Sequence, residues 1–359
     1  MVEVAGGWQD KSASGRFAST TKAFLMAKLI ACLILGIVAG ISSGAAMAAN
    51  PLPQTQASKE QVRKLIETIG KHYAVADNLR DRRQAFENLM ESTPEPTRVQ
   101  IRSVDAGGID AQLIWPARLH HPLGRRAILY LHGGGFYSGS LRTHRAIAGS
   151  LAKAASADVL LIDYRLAPDS PYPAQIDDAL NAYRWLLDSG YESDNVVVVG
   201  DSAGGNLAIE ATLRQMRVRG PLPAAVVALS PITDLAATGA SLARNTGHDP
   251  LINTAELDRI RGAYLATRSP SDPMASPLYA DLTGFPPLLL QVGSDEALLD
   301  DTLRLAEKAK LAGVDVQAEV WPGMIHQWQL FPSLLDGARQ SNQRIADYAI
   351  EHFADRPKQ

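Results

Sequence analysis

The sequence predicts an α/β fold with a mostly parallel eight-stranded sheet, helices on both of its faces and a helical cap. The main observation is a series of strand-like apolar runs, which recur near residues 127, 158, 195, 224, 287 and 315. Residues 97–118 alternate between apolar and polar and contain a turn, so they add a leading hairpin of two strands. Without residues 1–49, the chain of 359 residues suits one large domain over residues 50–359.

Helical patterns lie between most of these strand-like runs. Apolar residues at helical spacing predict five helices, over residues 142–155, 174–189, 203–219, 300–312 and 337–353. Alternation of strands and helices is typical of parallel sheets that are covered on both faces.

Two segments do not fit the alternation. Residues 56–91 contain amphipathic helical patterns before the first strand, and residues 235–281 form an insertion between the strands near 224 and 287. We expect both to be cap elements, because helices laid over the carboxyl ends of the strands would define a substrate pocket and exclude water. The alternative is that they are surface helices packed elsewhere.

A serine between small residues follows the valine run at residues 196–199. The stretch Gly200-Asp201-Ser202-Ala203-Gly204 has the spacing Gly-x-Ser-x-Gly, which is weak evidence alone because it also arises by chance. A helical pattern begins directly after it, so strand, turn and helix come in the order of a nucleophile elbow. The sequence therefore predicts that Ser202 is a nucleophile held above the sheet.

Three glycines follow the strand-like run at residues 127–131. They stand in the sequence His132-Gly133-Gly134-Gly135-Phe136. Backbone N–H groups in such a loop can stabilise the anion that forms when a serine attacks an ester carbonyl. A simple turn or a phosphate-binding loop is the alternative, but neither the dinucleotide pattern nor a phosphate-loop lysine fits the spacing.

A histidine and several acids follow the last two strand-like runs, where a base and its orienting acid are needed. His326 lies in a loop of glycine, proline and aromatic residues. Four acids follow the run near 287, namely Asp295, Glu296, Asp300 and Asp301. Asp295 is favoured because it comes first after the strand, whereas Asp300 and Asp301 fit the first turn of a helix.

Together these stretches resemble the hormone-sensitive-lipase-like bacterial esterases, a family of the α/β-hydrolases. The resemblance covers roughly residues 60–355 and includes a further stretch, Asp163-Tyr164-Arg165-Leu166-Ala167-Pro168. It implies the α/β-hydrolase fold, with Ser202 as nucleophile, His326 as general base and then acid, and Asp295 as the orienting acid. It also implies an oxyanion hole made by the N–H groups of the loop glycines and of the residue after the serine, namely Gly133, Gly134, Gly135 and Ala203. Gly134 is the safest single choice among the three glycines.

Two details of these stretches bear on the resemblance. Many members of the family have proline after the catalytic aspartate, where this chain has Glu296. This departure removes no catalytic atom. Asp163 and Arg165 flank a strand end, and we expect them to form an internal ion pair that shapes the loop.

The sequence thus predicts a serine carboxylesterase that hydrolyses short to medium acyl esters or lactones through an acyl-enzyme intermediate. A deacetylase, an amidase or a peptidase with the same three residues is the nearest alternative. A second alternative is a ligand receptor on a hydrolase fold. Such receptors lose a member of the serine, acid and histidine set, and this chain has all three.

Composition limits the partners that we expect. The net charge is −3, and no basic run interleaved with aromatic residues occurs after the first fifty residues, so nucleic acid is not an expected ligand. The eight histidines are scattered, His120 and His121 are adjacent, and no metal-binding spacing occurs. We therefore expect no metal and no cofactor. A small ester is the expected partner. The sequence does not decide whether the protein forms a homodimer.

The N-terminal segment, residues 1–49, has the pattern of a secretory signal peptide. Four basic residues precede the apolar stretch at residues 29–41, and small residues follow it up to Ala49. Cleavage after Ala48 would release an exported protein, periplasmic or secreted. The alternative is an uncleaved membrane anchor, because residues 29–49 are about long enough to span a bilayer. The only cysteine, Cys32, lies in this segment, so a mature chain would contain no disulfide bond.

Overall fold

The computed structural model of the chain describes residues 56–118 and 126–354. The described residues belong to one compact unit. They contain eight strands: β1 (Val99–Asp105), β2 (Asp110–Pro116), β3 (Ala127–Leu131), β4 (Asp158–Ile162), β5 (Val196–Asp201), β6 (Ala225–Leu229), β7 (Leu288–Gly293) and β8 (Val316–Trp321).

All eight strands belong to one sheet, in the order β1-β2-β4-β3-β5-β6-β7-β8. The hairpin of β1 and β2 is antiparallel, and β2 also runs antiparallel to β4. The other neighbouring strands pair in parallel. The predicted α/β fold with a mostly parallel eight-stranded sheet is therefore confirmed.

Nine α-helices occur within the described ranges. They are α1 (Gln56–Tyr73), α2 (Leu79–Glu91), α3 (Leu141–Ala155), α4 (Ala174–Asp188), α5 (Ala203–Arg217), α6 (Ser241–Arg244), α7 (Thr254–Tyr264), α8 (Leu299–Leu311) and α9 (Asp336–His352). The five helices predicted between strands correspond to α3, α4, α5, α8 and α9, and each predicted end lies within two residues of the observed one.

The central strands are buried on both faces of the sheet. Every residue of β3, β4, β5, β6 and β7 is buried, so side chains that point to opposite faces all lie in the core. Continuous valine, leucine and isoleucine runs are the sequence pattern of such strands. Helix α3 packs against β2 and β4, whereas α5 packs against β5 and β6.

The parallel strands bring their carboxyl ends to one edge of the sheet, where the loops after β3, β5, β7 and β8 meet. The helices outside the alternation, α1, α2, α6 and α7, belong to the two segments predicted as cap elements. No helix among the described residues has the length and apolar character to cross a membrane. The predicted signal peptide or anchor, residues 1–49, lies outside the described residues.

The loop after β4 differs from the prediction in its ion pair. Arg165 does not bind Asp163; its guanidinium lies 2.6 Å from the carboxylate of Asp178 on α4. The backbone N–H of Arg165 also donates to Asp178. The predicted ion pair of Asp163 and Arg165 is therefore wrong, because the Arg165 guanidinium pairs with the buried Asp178 carboxylate of the following helix.

Candidate active site

Ser202 occupies a sharp turn between β5 and α5. Its backbone has φ 54° and ψ −118°, a left-handed conformation that is costly for any residue with a side chain. The backbone N–H of Ser202 donates to the carbonyl of Leu229 at 2.7 Å, which fixes the turn against β6. A Cβ at Gly200 would collide with the carbonyl oxygen of Gly204, which explains the small residues on both sides of the serine.

A chain of polar contacts leads from Ser202 through His326 to Glu296. The Nε2 atom of His326 lies 2.8 Å from the Ser202 Oγ atom, and its Nδ1 atom lies 3.0 Å from the Glu296 Oε2 atom. All three side chains are buried. The structure therefore brings together two of the predicted residues, Ser202 and His326, with an acid that was not the favoured one.

The geometry corrects the choice of Asp295 as the orienting acid. The Asp295 carboxylate accepts a hydrogen bond from the Ser294 hydroxyl at 2.7 Å and makes no contact with His326. After Gly293 the chain turns back, so that the N–H of Gly293 donates to the Glu296 Oε1 atom at 2.6 Å. Ser230 donates to the same oxygen at 2.7 Å, which leaves Oε2 for His326.

The two later acids hold neighbouring loops. The Asp300 carboxylate accepts the backbone N–H of Ser241 at 2.8 Å. The Asp301 carboxylate accepts the N–H groups of Thr233 and Asp234. Neither acid contacts His326, in agreement with their expected place in the first turn of a helix, α8.

Burial and charge act in opposite directions on His326. Burial lowers the pKa of the imidazole, but the hydrogen bond and charge of Glu296, together with the charges of Asp249 and Asp201, raise it more, so the pKa lies above its ordinary value. Burial also raises the pKa of the Glu296 carboxyl, and the hydrogen bond with His326 opposes this shift. The contact thus favours the ionic form of the pair.

The glycine loop after β3 presents unpaired N–H groups beside Ser202. Gly134 has φ +116° and Gly135 has φ +61°, conformations that favour glycine. Within the described part of the chain, the N–H groups of Gly134, Gly135 and Ala203 have no acceptor. The N–H of Gly133 differs, because it donates to the Asp201 carboxylate at 3.1 Å and lies 3.3 Å from the His144 ring. Gly133 is therefore corrected from an anion-binding donor to an anchor of the loop.

Asp201 is a buried charged residue of the site that the sequence pattern does not single out. Its buried carboxylate accepts hydrogen bonds from the Tyr130 hydroxyl at 2.9 Å and from the Gln327 side chain at 2.5 Å, besides that of Gly133. Burial raises the pKa of this carboxyl, but the contacts with His144, Gln327 and Tyr130 together bring it below its ordinary value. Asp201 thus links the glycine loop to the residue after His326. The feature of the sequence that could have indicated Asp201 is a charged residue inside the Gly-x-Ser-x-Gly stretch.

A cavity lies over Ser202. Both predicted cap segments contribute to its wall, with Tyr73, Arg82 and Phe86 from the first and Leu251, Ile252, Glu256 and Ile260 from the second. Among residues 56–118 and 126–354, no cluster of three histidine, cysteine or acidic side chains has the arrangement of a metal site.

A family model described as alpha/beta hydrolase fold matches residues 128–330, which is more than half of the chain. The chain belongs to the α/β-hydrolase fold family. This α/β-hydrolase is similar to an acetyl-hydrolase of Streptomyces hygroscopicus, with 45% identity over 238 residues, which cover 66% of this chain and 78% of that protein. It is also similar to an esterase of Acinetobacter venetianus, with 37% identity over 74% of this chain and 87% of that protein.

Solved structures give the same relationship for this α/β-hydrolase. A crystal structure of an esterase from the bacterial hormone-sensitive lipase family has a TM-score of 0.79 and 39% sequence identity to this chain. The match covers 84% of this chain and all of that one (100%). The predicted membership of the hormone-sensitive-lipase-like esterases is therefore confirmed.

Proposed function

We propose that this α/β-hydrolase is a serine carboxylesterase that hydrolyses short to medium acyl esters through an acyl-enzyme intermediate on Ser202. The observation that carries the proposal is the contact chain of Ser202, His326 and Glu296, at 2.8 and 3.0 Å, beside three unpaired backbone N–H groups. The prediction of an enzyme acting on ester bonds is confirmed by the family and by relatives described as esterases.

In the first half of the reaction, the Ser202 Oγ atom attacks the ester carbonyl carbon while the His326 Nε2 atom takes the hydroxyl proton. The carbonyl oxygen becomes an anion, and the N–H groups of Gly134, Gly135 and Ala203 stabilise it. The bond to the alcohol oxygen then breaks, and His326 returns the proton to that oxygen. Ser202 is left as an acyl ester, and the alcohol leaves.

In the second half, a water molecule attacks the acyl carbon and His326 takes the water proton. The acid leaves when His326 gives that proton to the Ser202 Oγ atom. Glu296 stays ionised throughout, because its carboxylate holds the Nδ1–H group of His326 and stabilises the imidazolium that forms twice in the cycle. The raised pKa of His326 agrees with this role.

Two features support water-soluble substrates with small acyl groups. The cavity over Ser202 is bounded by both cap segments, and the second segment is interrupted by Pro250, Pro270, Pro273 and Pro277. Within the described part of both cap segments, no long apolar lid that would open on a lipid surface occurs. The relative from Streptomyces hygroscopicus is described as an acetyl-hydrolase, which agrees with a small acyl group.

The experiment is a series of p-nitrophenyl esters from acetate to laurate, measured beside p-nitroacetanilide. We expect turnover of the short esters, a fall in kcat/KM for long chains, and little hydrolysis of the anilide. Faster hydrolysis of the anilide than of any ester would favour an amidase. Preference for emulsified long-chain esters would contradict the small, bounded pocket.

For residues 1–49, we propose a secretory signal that is cleaved after Ala48. The basic, apolar and small-residue regions in that order support this proposal. The exported form would then begin at Ala49 and would contain no cysteine.

A further inference from the structure

We propose that a buried ionic cluster of Arg82, Tyr137 and Glu256 limits the length of the substrate chain that fits over Ser202. The inference rests on the proposed ester hydrolysis and adds the residues that set its chain-length limit. All three side chains line the cavity that also contains Ser202 and His326.

The contacts within the ionic cluster are short and involve both oxygens of one carboxylate. The Arg82 guanidinium lies 2.7 Å from Glu256 Oε2, and the Tyr137 hydroxyl donates to Glu256 Oε1 at 2.5 Å. Arg82 also donates to the Tyr137 hydroxyl at 3.3 Å, which closes a ring of contacts. Arg259, whose side chain is more exposed than that of Arg82, lies 2.5 Å from Glu256 Oε2.

The ionic cluster joins three separate parts of the chain. Arg82 lies on α2, Glu256 on α7, and Tyr137 two residues after Gly135 in the loop beside Ser202. The Arg82 and Glu256 side chains are only 13% and 6% exposed. Asn253 caps α7 by accepting the backbone N–H of Glu256 at 3.0 Å, which fixes the start of the helix that carries this carboxylate.

The cavity that contains Ser202 and the ionic cluster also has apolar side chains in its wall. Phe86, Leu251, Ile252 and Ile260 line the same cavity, and Ile260 lies directly against Gly135. A substrate chain that follows this apolar wall gains binding for each methylene it buries, about four-fold per group, or about 0.8 kcal/mol. This gain in binding free energy ends where the chain reaches the ionic cluster. Alkyl carbons make no hydrogen bonds, so they cannot compensate for separating the buried charges from their partners.

The test replaces the charges by apolar side chains of similar length. We would compare wild type with Arg82→Met and with the double variant Arg82→Met/Glu256→Met. Buried ion pairs are often replaced by apolar residues without loss of folding. In the single variant, Glu256 keeps Arg259 and Tyr137 as partners, so this variant decides the question if the double variant does not fold.

The measured quantity is kcat/KM for p-nitrophenyl esters of rising acyl length, and for alkyl acetates of rising alcohol length. In the double variant, we expect room for two more methylenes in one of the two series. The ratio of kcat/KM for octanoate to that for acetate, or for the octyl to that for the ethyl ester, should then rise by about 15-fold. For Arg82→Met, we expect the same ratio of kcat/KM values to rise at least about four-fold, which corresponds to burial of one more methylene. The series that responds identifies which part of the ester follows the apolar wall.

The matched control is Glu87→Met/Arg142→Met, which removes another ion pair of α2, at 2.5 Å, outside the cavity lining. This control should leave both ratios as in wild type. A folded Arg82→Met variant with unchanged ratios in both series would overturn the inference, as would an equal rise in the control, which would indicate a loosened cap. Inactivity of wild type on every ester would instead refute the proposed function.

Discussion

Replacing Glu296 with glutamine keeps the size of the side chain but removes the carboxylate beside His326. In the structure, the Oε1 atom accepts from Gly293 N–H and from Ser230, so this position requires an oxygen. The amide NH2 of Glu296→Gln would therefore occupy the Oε2 position and face the Nδ1 atom of His326. A donor at that position favours the tautomer with the proton on Nε2, and this tautomer cannot accept the proton of Ser202.

The size of the effect follows from the loss of charge beside the imidazolium. A unit charge at 3.0 to about 4 Å, with an effective dielectric constant of about 20, contributes roughly 5.5 to 4 kcal/mol. At about 1.4 kcal/mol per ten-fold change in rate, this is a loss of about 10³ to 10⁴ in kcat. The structure offers no second carboxylate in contact with His326 among the described residues.

The assay is steady-state hydrolysis of p-nitrophenyl acetate by Glu296→Gln and by Asp295→Asn, with thermal unfolding to check that both variants fold. Asp295→Asn should retain activity within about three-fold, because among the described residues the Asp295 carboxylate accepts a hydrogen bond only from the neighbouring Ser294 hydroxyl. An inactive, folded Asp295→Asn variant beside an active Glu296→Gln variant would refute the geometry described here.

Three further predictions concern His326, Asp201 and the N-terminal segment. The kcat/KM should rise with pH as His326 loses its proton, with a midpoint above about 6.5 because Glu296 raises the imidazole pKa; a pH-rate profile that is flat from pH 5 to 9 would contradict histidine as base. Asp201→Ala should lower kcat about 100-fold with little change in KM, because it removes the carboxylate that accepts the Gly133 N–H and anchors the anion-binding loop; a larger effect on KM than on kcat in steady-state assays would argue against this role. Mass spectrometry of the exported protein should find an N-terminus at Ala49, whereas an intact N-terminus in the membrane fraction would favour an anchor.

The fold was largely predictable because the central strands are buried on both faces. Their apolar runs and the helical patterns between them locate the elements almost to the residue, as for α8 and α9. Ser202 and His326 were predictable for a related reason, since each lies in a loop at the carboxyl end of a strand whose position the pattern determines.

The acid and the anchoring glycine could not be assigned from the sequence. Asp295 and Glu296 are adjacent, and only the turn that folds back on Gly293 decides which carboxylate faces His326. Gly133 belongs to a run of three identical residues, and its N–H is distinguished only by Asp201 from a different strand. Contacts between distant segments decide both cases, and local patterns carry no information about them.

The pair of Arg82 and Glu256 gives a further example of this limit. Each residue lies on an amphipathic helix, where a charged side chain is normally exposed to water. Their burial against each other depends on how the two segments meet over the cavity. A sequence pattern predicts that these helices exist but not which of their charges become partners.

Covalent trapping with a phosphonate would identify the nucleophile of this α/β-hydrolase. We would incubate the protein with a p-nitrophenyl phosphonate, measure the intact mass, and locate the adduct by tandem mass spectrometry, with Ser202→Ala as the control. We expect one phosphonyl group per chain on Ser202, loss of esterase activity in step with labelling, and neither labelling nor turnover in Ser202→Ala. An adduct on another serine, or a folded Ser202→Ala variant that still hydrolyses p-nitrophenyl acetate at the wild-type rate, would contradict this expectation.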